Sequence, residues 1–385
     1  MMKDKQKDDI SDLLGDLSLS ASKSSSLHLQ NEINRAGFCI FKCIVDHGCF
    51  SWNPPRKANY QTLGSINNIN EFKKYVDLSG IPPRLLSQSS LSSMTTTPKY
   101  FRSSLSPDKH ENKFPFGKIY LTCLHVAVNH RGIDLSTIDF AFGGSTLGVF
   151  ATCNTDSNPY VVVLVPGTTN GSDGDVGVDN KQCSHRQCTI LVVKNKAYVQ
   201  NLSDPGFQFE RLVTGEPMEG DKKSDTLPSV EHLQVMEVAG KRVLFLAETD
   251  AAYHDEDGHH PVEIKASNPR YWGTKVMFQM ISNGSTRLCH GTKSRGSITG
   301  ISIQSLLDVS KTALTGGNNN ITVLENNIRE GMASLLAQTA QGKPGDSFNM
   351  SFGRDRKLML TPTRGRSSES VLPPREVTHA LLTER

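Results

Sequence analysis

Two three-residue words carry the chemistry of this chain. They are Glu248-Thr249-Asp250 and, about a dozen residues later, Glu263-Ile264-Lys265. Alternate residues of a β-strand share a face. If both segments are extended, Glu248 and Asp250 project to one side of their strand, and Glu263 and Lys265 do so on theirs. The connector Ala251 to His260 (AAYHDEDGHH) is rich in turn residues. A hairpin across it would set three carboxylates and one ammonium on a single patch. Apolar runs lead into both words: Val243 to Ala247 before the first, Val262, Ile264 and Ala266 through the second. Carboxylates at the end of a buried strand are costly unless paired or bound to metal. Three acids against one lysine leave negative charge that a divalent cation would cancel. Hard carboxylate oxygens favour Mg²⁺ or Mn²⁺ over zinc. Asp followed by Glu-x-Lys is the pattern of many metal-dependent phosphodiester-cleaving enzymes. In these the acids hold one or two ions, which activate water and stabilise the leaving oxygen. Lys265 would orient that water or offset phosphate charge. The competing reading is a set of cross-strand ion pairs on a half-exposed sheet, common and individually weak. The apolar lead-in on both faces and the uneven sign count argue against it.

The elements that must position these residues are legible in part. Tyr160 to Pro166, Thr189 to Tyr198, Lys241 to Asp250 and Pro261 to Ser267 read as strands, being β-branched runs bounded by turn residues. The word Gly206-Phe207-Gln208-Phe209-Glu210 reads as a strand end, with Gln208 and Glu210 polar on one side; by itself Glu210 is a surface carboxylate. Gly117 to Asn129 reads as a helix. Asn268 and Pro269 look like an N-cap and first-turn proline opening another. Ile321 to Gln338 places Leu324, Ile328, Leu335 and Leu336 near one face, with Val323 and Met332 beside it. Polar stretches at 85–113, 168–184 and 217–228 read as loops. The expected architecture is α+β: two mixed β-sheets with flanking helices forming a central cleft, with a restriction-nuclease-like active-site core. Residues 1–27 are expected to be a disordered arm, 28–362 one large domain, and 363–385 a disordered tail.

The chain has 385 residues, of which 36% are hydrophobic, enough for a core and too many for wholesale disorder. The net charge of +3 is too mild to mark a nucleic-acid binder, although basic residues lining one channel would not show in it. No run approaches the ~18–20 apolar residues of a membrane span. The charged start MMKDKQKDD does not read as a secretory signal, so the eight cysteines read as reduced thiols of an intracellular protein, in nucleus or cytoplasm.

With these words in place the chain resembles the DXO decapping nuclease family, enzymes of RNA 5′-end quality control. GFQFE, ETD and EIK stand in the family's order, and GFQFERLVTG, VEIKAS, RYWGTK and the turns RLCHGTKSRGSITGI are similar to it. The likeness is densest over residues 200–305. It implies that Glu210, Asp250 and Glu263, with the backbone carbonyl of Ile264, bind a divalent metal. It implies that Glu248 assists a second metal and that Lys265 acts beside the scissile phosphate. It further implies decapping, pyrophosphohydrolase or 5′–3′ exoribonuclease activity on RNA 5′ ends, with a 5′–3′ exoribonuclease as a partner in part of the family. Three positions depart. The family's early arginine falls near Phe142-Gly143-Gly144, its helix glutamine at Thr274, and a later lysine at Asn268. The substrate set is thus eroded where the metal set is intact. A catalytically weak RNA-end-binding paralogue and a DNA-acting nuclease are the alternatives.

Other candidates have blander readings. Cys39, Cys43 and Cys49 with His47, and Cys183 and Cys188 with His185, lack zinc-site spacing and read as buried thiols. His254, His259 and His260 read as a solvated turn. Lys293, Arg295, Arg354, Arg356, Lys357, Arg364 and Arg366 would track phosphates in a nuclease, or are plain charged surface. Tyr271 and Trp272 would stack on a base, but a core contact fits them better. The glycine-rich GGSTLG and TGGNNN lack the Gly-Lys-Ser/Thr ending of a nucleotide loop.

Overall fold

The computed structural model describes residues 26–52, 76–94, 99–100, 112–155, 160–167, 188–194, 197–200, 205–215, 229–255, 258–266, 273–294, 297–315 and 320–363. The expected tail beyond 363 and the expected loops at 168–184 and 217–228 lie outside them, as does the arm up to residue 25. A first helix, α1 (26–35), already begins at the last two residues of that arm. There follow β1 (Phe41–Trp52), β2 (Val76–Asp77), α2 (Gln88–Met94), β3 (Lys99–Tyr100), β4 (Asn112–Pro115), α3 (Phe116–Asn129), β5 (Phe140–Gly143), α4 (Thr146–Thr152), β6 (Tyr160–Pro166), β7 (Cys188–Lys194) and β8 (Ala197–Gln200). The second half comprises α5 (Pro205–Thr214), β9 (Ser229–Val238), β10 (Lys241–Glu248), β11 (Ala251–Asp255), β12 (Gly258–Ala266), α6 (Gly273–Ser282), β13 (Arg287–Ser294), β14 (Ser297–Ser305), α7 (Leu306–Thr315), α8 (Ile321–Thr339), β15 (Ser347–Phe352) and β16 (Leu358–Pro362).

The strands form a nine-stranded sheet, β16-β15-β6-β7-β5-β10-β9-β1-β2, a five-stranded sheet, β11-β12-β13-β14-β3, and the small pair β4-β8. Both large sheets are mixed: β10 and β7 run parallel to β5, and β12 runs parallel to β13. The fold is therefore α+β with two mixed sheets, as expected. Strand β10 shows why. Every residue from Val243 to Ala247 is buried. Val243 and Phe245 join a core with Phe142, Phe150, Phe278 and Ile328, roofed by α4, α6 and α8. Leu244 and Leu246 join a second core with Phe50, Tyr120 and Leu124, under α3. A continuous apolar run is what a strand covered on both faces requires. A third core lies between the five-stranded sheet and helices α2 and α5, built on Leu91, Phe209, Val213, Val262 and Ile264.

Several local readings change. The run Thr189 to Tyr198 is two strands in different sheets, β7 and β8. The loop expected at 85–113 holds α2, β3 and the start of β4. The segment RLCHGTKSRGSITGI holds the antiparallel pair β13–β14 rather than turns. Helix α8 has the expected face, with Leu324, Ile328, Met332 and Leu335 buried, but Val323 is 36% exposed. Asn320 caps it by accepting a bond from the Val323 amide at 2.8 Å. Asn268, Pro269, Tyr271 and Trp272 lie outside the described residues, and α6 is described from Gly273.

Candidate active site

The acidic words meet where the two sheets join. β10 ends at Glu248 in the nine-stranded sheet, Thr249 and Asp250 cross over, and β11 begins at Ala251 in the five-stranded sheet. Thr249 is buried, and its amide donates to the Val230 carbonyl at 2.8 Å, pinning the crossing. The expected hairpin is therefore displaced. The antiparallel partner of β12 is β11, pairing Ala251 with Val262, and not the strand that carries Glu248. The cause is the double-sided burial of Val243–Ala247. That run is already committed between β5 and β9 and cannot also pair with β12.

Glu210 sits on α5 and not at a strand end. The Phe-x-Phe alternation misleads there. Phe209 and Val213 are buried one helical turn apart, and Pro205 opens the helix with its fixed φ. Gly291 on β13 makes room for Phe209, since a Cβ there would meet the ring at 2.7 Å. That contact docks α5 and brings the neighbouring Glu210 within the field of Asp250, Lys265, Glu248 and Glu263.

Lys265 is the hub. Its ammonium is ion-paired to Glu263 Oε1 and lies 3.6 Å from Asp250 Oδ2. Asp250 Oδ2 accepts the amide of Ile264 at 2.8 Å, so the crossing is tied to the strand bearing the second word. Asn283, just past the end of α6, donates to Glu263 Oε2 at 2.6 Å and to the Glu248 carbonyl at 3.3 Å. Glu263 is 0% exposed, whereas Lys265 and Asp250 keep 27% and 12% of their side-chain surface. Glu248 is exposed to solvent at the end of β10.

Burial, then the charge of Asp250, pushes Glu210 up to about 9 and Glu263 up to about 7. Enclosure, then Glu231 and Asp250, raises Glu248 as well, and the water it touches screens part of that push. Burial alone would lower Lys265. Glu263 and Asp250 outweigh it and hold the ammonium charged, well above the ordinary range.

Two residues of this surround are not among the expected ones. Asn283 is one. Glu231 is another: it is buried on β9 and stands directly opposite Glu248 in the β9–β10 register, a like-charge pairing that is unfavourable by itself. Neither carries a signal in the sequence: Glu231 lies in the mixed run Ser229 to Val235 and Asn283 in the turn word Ser282-Asn283-Gly284. Thr274 lies half-buried in the first turn of α6. That is about 13 Å along the axis from Asn283, at 1.5 Å per residue.

Hard carboxylate oxygens in excess of local positive charge are the donor set that suits Mg²⁺ or Mn²⁺. Among the described residues, no three His, Cys, Asp or Glu side chains stand as a ready cage for one ion. Lys265 supplies the positive charge between Glu263 and Asp250.

No family model and no curated protein matches the chain. Solved structures do. S. pombe Rai1 in complex with 3′-FADP superposes with a TM-score of 0.55 at 13% identity, covering 84% of this chain and 95% of that one. Candida albicans Rai1 in complex with pU5-Mn²⁺ gives 0.53 at 13%, covering 87% and 94%. Scheffersomyces stipitis Rai1 in complex with (3′-NADP)⁺ and a calcium ion gives 0.52 at 11%, covering 90% and 97%. The chain has the Rai1 fold.

The position near which the resemblance expects an arginine is covered from a neighbouring helix. Gly143 ends β5, and a Cβ there would meet the Tyr120 hydroxyl at 2.8 Å and its ring at 3.0 Å. Tyr120, from α3, covers the place an arginine would leave from. Among the remaining candidates Cys49 lies beside the site, against Thr249 and near Glu231, and several others lie outside the described residues. Cys43 and Cys49 are half-buried on β1 and Cys39 is exposed, so the expectation of buried thiols fails for Cys39. Burial pushes the Cys43 thiol up to about 12. Cys183, His185, Arg295, Arg364 and Arg366 lie outside the described residues. His254 and His259 face each other across the β11–β12 hairpin, and His260 bonds Asp255 at 2.8 Å and stacks on Tyr253. These histidines are therefore part of the sheet rather than a solvated turn. Lys293, Arg354, Arg356 and Lys357 are exposed.

Proposed function

We propose that this chain is a divalent-metal-dependent hydrolase of RNA 5′ ends, acting in RNA quality control by decapping, pyrophosphate removal or 5′–3′ exonuclease action. One observation carries the reading. Glu210, Glu248, Asp250 and Glu263 converge around a single lysine at the seam of two sheets, in a fold shared with a protein solved with pU5 and Mn²⁺. In this reading Glu210, Asp250, Glu263 and the Ile264 carbonyl hold Mg²⁺ or Mn²⁺, and Glu248 serves a second ion. When bound, a divalent ion neutralises phosphate charge and makes water more acidic. Lys265 keeps its proton and presents its ammonium to the scissile phosphate. Glu263, locked by Asn283, cannot swing away from it. The exposed end of β10 at Glu248 would admit a 5′ end, and Thr274 on α6 is the further substrate contact of this reading.

The second reading is an RNA-end-binding paralogue with little turnover. Gly143 under Tyr120 and the Lys265 ammonium seated on two of the acids favour it. The test is incubation of the purified chain with 5′-monophosphate, 5′-triphosphate and capped RNAs, with Mn²⁺ or with chelator, beside a Glu263→Ala/Lys265→Ala variant. Metal-dependent products absent from the variant support the hydrolase. RNA retention without products supports the binder. Cleavage confined to a matched single-stranded DNA would point to a DNA nuclease. A 5′–3′ exoribonuclease partner and residence in nucleus or cytoplasm belong to the same proposal. Co-purification and imaging of the tagged chain address them.

A further inference from the structure

We propose that Asn283 is a positioning residue for the metal site: it fixes Glu263 and sets the spacing between the two acid-bearing strands. The inference rests on the metal reading above. Asn283 is 0% exposed and stands just past the last turn of α6. Its amide orientation is settled by its neighbours. Oδ1 accepts the Ser285 amide at 3.1 Å, so Nδ2 must face the acids. The two hydrogens of Nδ2 then go to different sheets, one to Glu263 Oε2 on β12 and one to the carbonyl of Glu248 at the end of β10. A neutral donor is the group that this place requires. A carboxylate would repel Glu263, and an apolar group would leave Oε2 buried and bare. With Oε2 held, Oε1 is the oxygen left to face a cation, and Lys265 now takes it.

The helix end is itself held. Ser285 donates its amide to the Met280 carbonyl at 2.8 Å across Gly284, whose φ is +75°. This is the left-handed C-terminal cap that glycine favours. Gln234 on β9 donates to the carbonyls of Ile281 and Ser282 at 2.7 and 2.8 Å. Asn283 therefore works from a fixed base, as outer hydrogen-bond partners of metal ligands do.

The experiment compares the full chain with its Asn283→Leu and Gln234→Leu variants. Calorimetry gives Mn²⁺ affinity, electron paramagnetic resonance gives the line shape of bound Mn²⁺, and thermal unfolding confirms that each variant is folded. Asn283→Leu should weaken Mn²⁺ binding about 10–100-fold and alter the line shape. Gln234→Leu, which loosens the same helix end without touching a carboxylate, should lower the melting temperature and leave the line shape unchanged. If Asn283→Leu does not fold, Asn283→Ser carries the same expectation, because a serine is too short to span both acceptors. Wild-type affinity and line shape in the folded Asn283 variant overturn the positioning role alone. Absence of Mn²⁺ binding by the wild-type chain overturns the metal reading beneath it.

Discussion

Lys265 is an ammonium doing the electrostatic work of an ion. It faces a carboxylate with no exposed surface, and a second at 3.6 Å. Removing one member of such a pair leaves an uncompensated buried charge, at a cost on the order of 3 kcal/mol, which Glu263 limits by taking up a proton. We expect Lys265→Met to destabilise the metal-free protein by about that amount in denaturant melts. We also expect Mn²⁺ to restore more stability to this variant than it adds to wild type, because the ion replaces the lost charge. Equal Mn²⁺ stabilisation of both proteins would refute that exchange. At Gly143, substitution by Ala should cost about 1–3 kcal/mol through overpacking against Tyr120. In a double-mutant cycle with Tyr120→Leu, which removes the obstructing ring, the pair should cost less than the sum of the two single changes. Strict additivity would mean that the contact is not what excludes a side chain there.

At the level of elements, sequence and structure part where an alternating pattern had two solutions. The continuous run Val243–Ala247 could only be a doubly covered strand, and it is one. Glu263-Ile264-Lys265 was as secure, because His260 to Ile264 form a second buried run. Gly206–Glu210 was not. Phe207 and Phe209 fit a strand, and only the next turn, through Val213, shows the helical spacing. The pairing of β12 was beyond reach for another reason. A hairpin across Ala251–His260 and a crossing to a second sheet differ only in which distant strands claim β10, and those strands, β5 and β9, are remote or have weak alternation. The acids were thus legible as residues but not as a seam. The cap of α6 gives a prediction at this scale. Gly284→Ala must adopt a left-handed φ and push its methyl to within 2.8 Å of the His232 ring. It should destabilise by ~2 kcal/mol or more in equilibrium unfolding. A neutral result would show that the ring of His232 yields freely.

The whole molecule should register its acids as a pH response. Glu210 and Glu263 have folded-state pKa values raised above the ordinary carboxylate range, to about 9 and about 7. For an acid shifted upward, the unfolded chain gives up its proton first. Folding stability is therefore greatest below pH ~4.5 for these groups and declines as pH rises through 7 to 9. In metal-free buffer the melting temperature should fall between pH 5 and 9, and saturating Mn²⁺ should flatten that fall, as scanning calorimetry would record. A melting temperature that rises across this window without metal would contradict the burial of these acids. The ring of Tyr120 lying on Gly143 also has a consequence for the molecule's history. An arginine arriving first at 143 meets the phenol, and a smaller residue arriving first at 120 leaves a hole in the core before anything fills it. Each first step costs folding stability, so positions 120 and 143 can exchange their sizes only together or through a less stable intermediate.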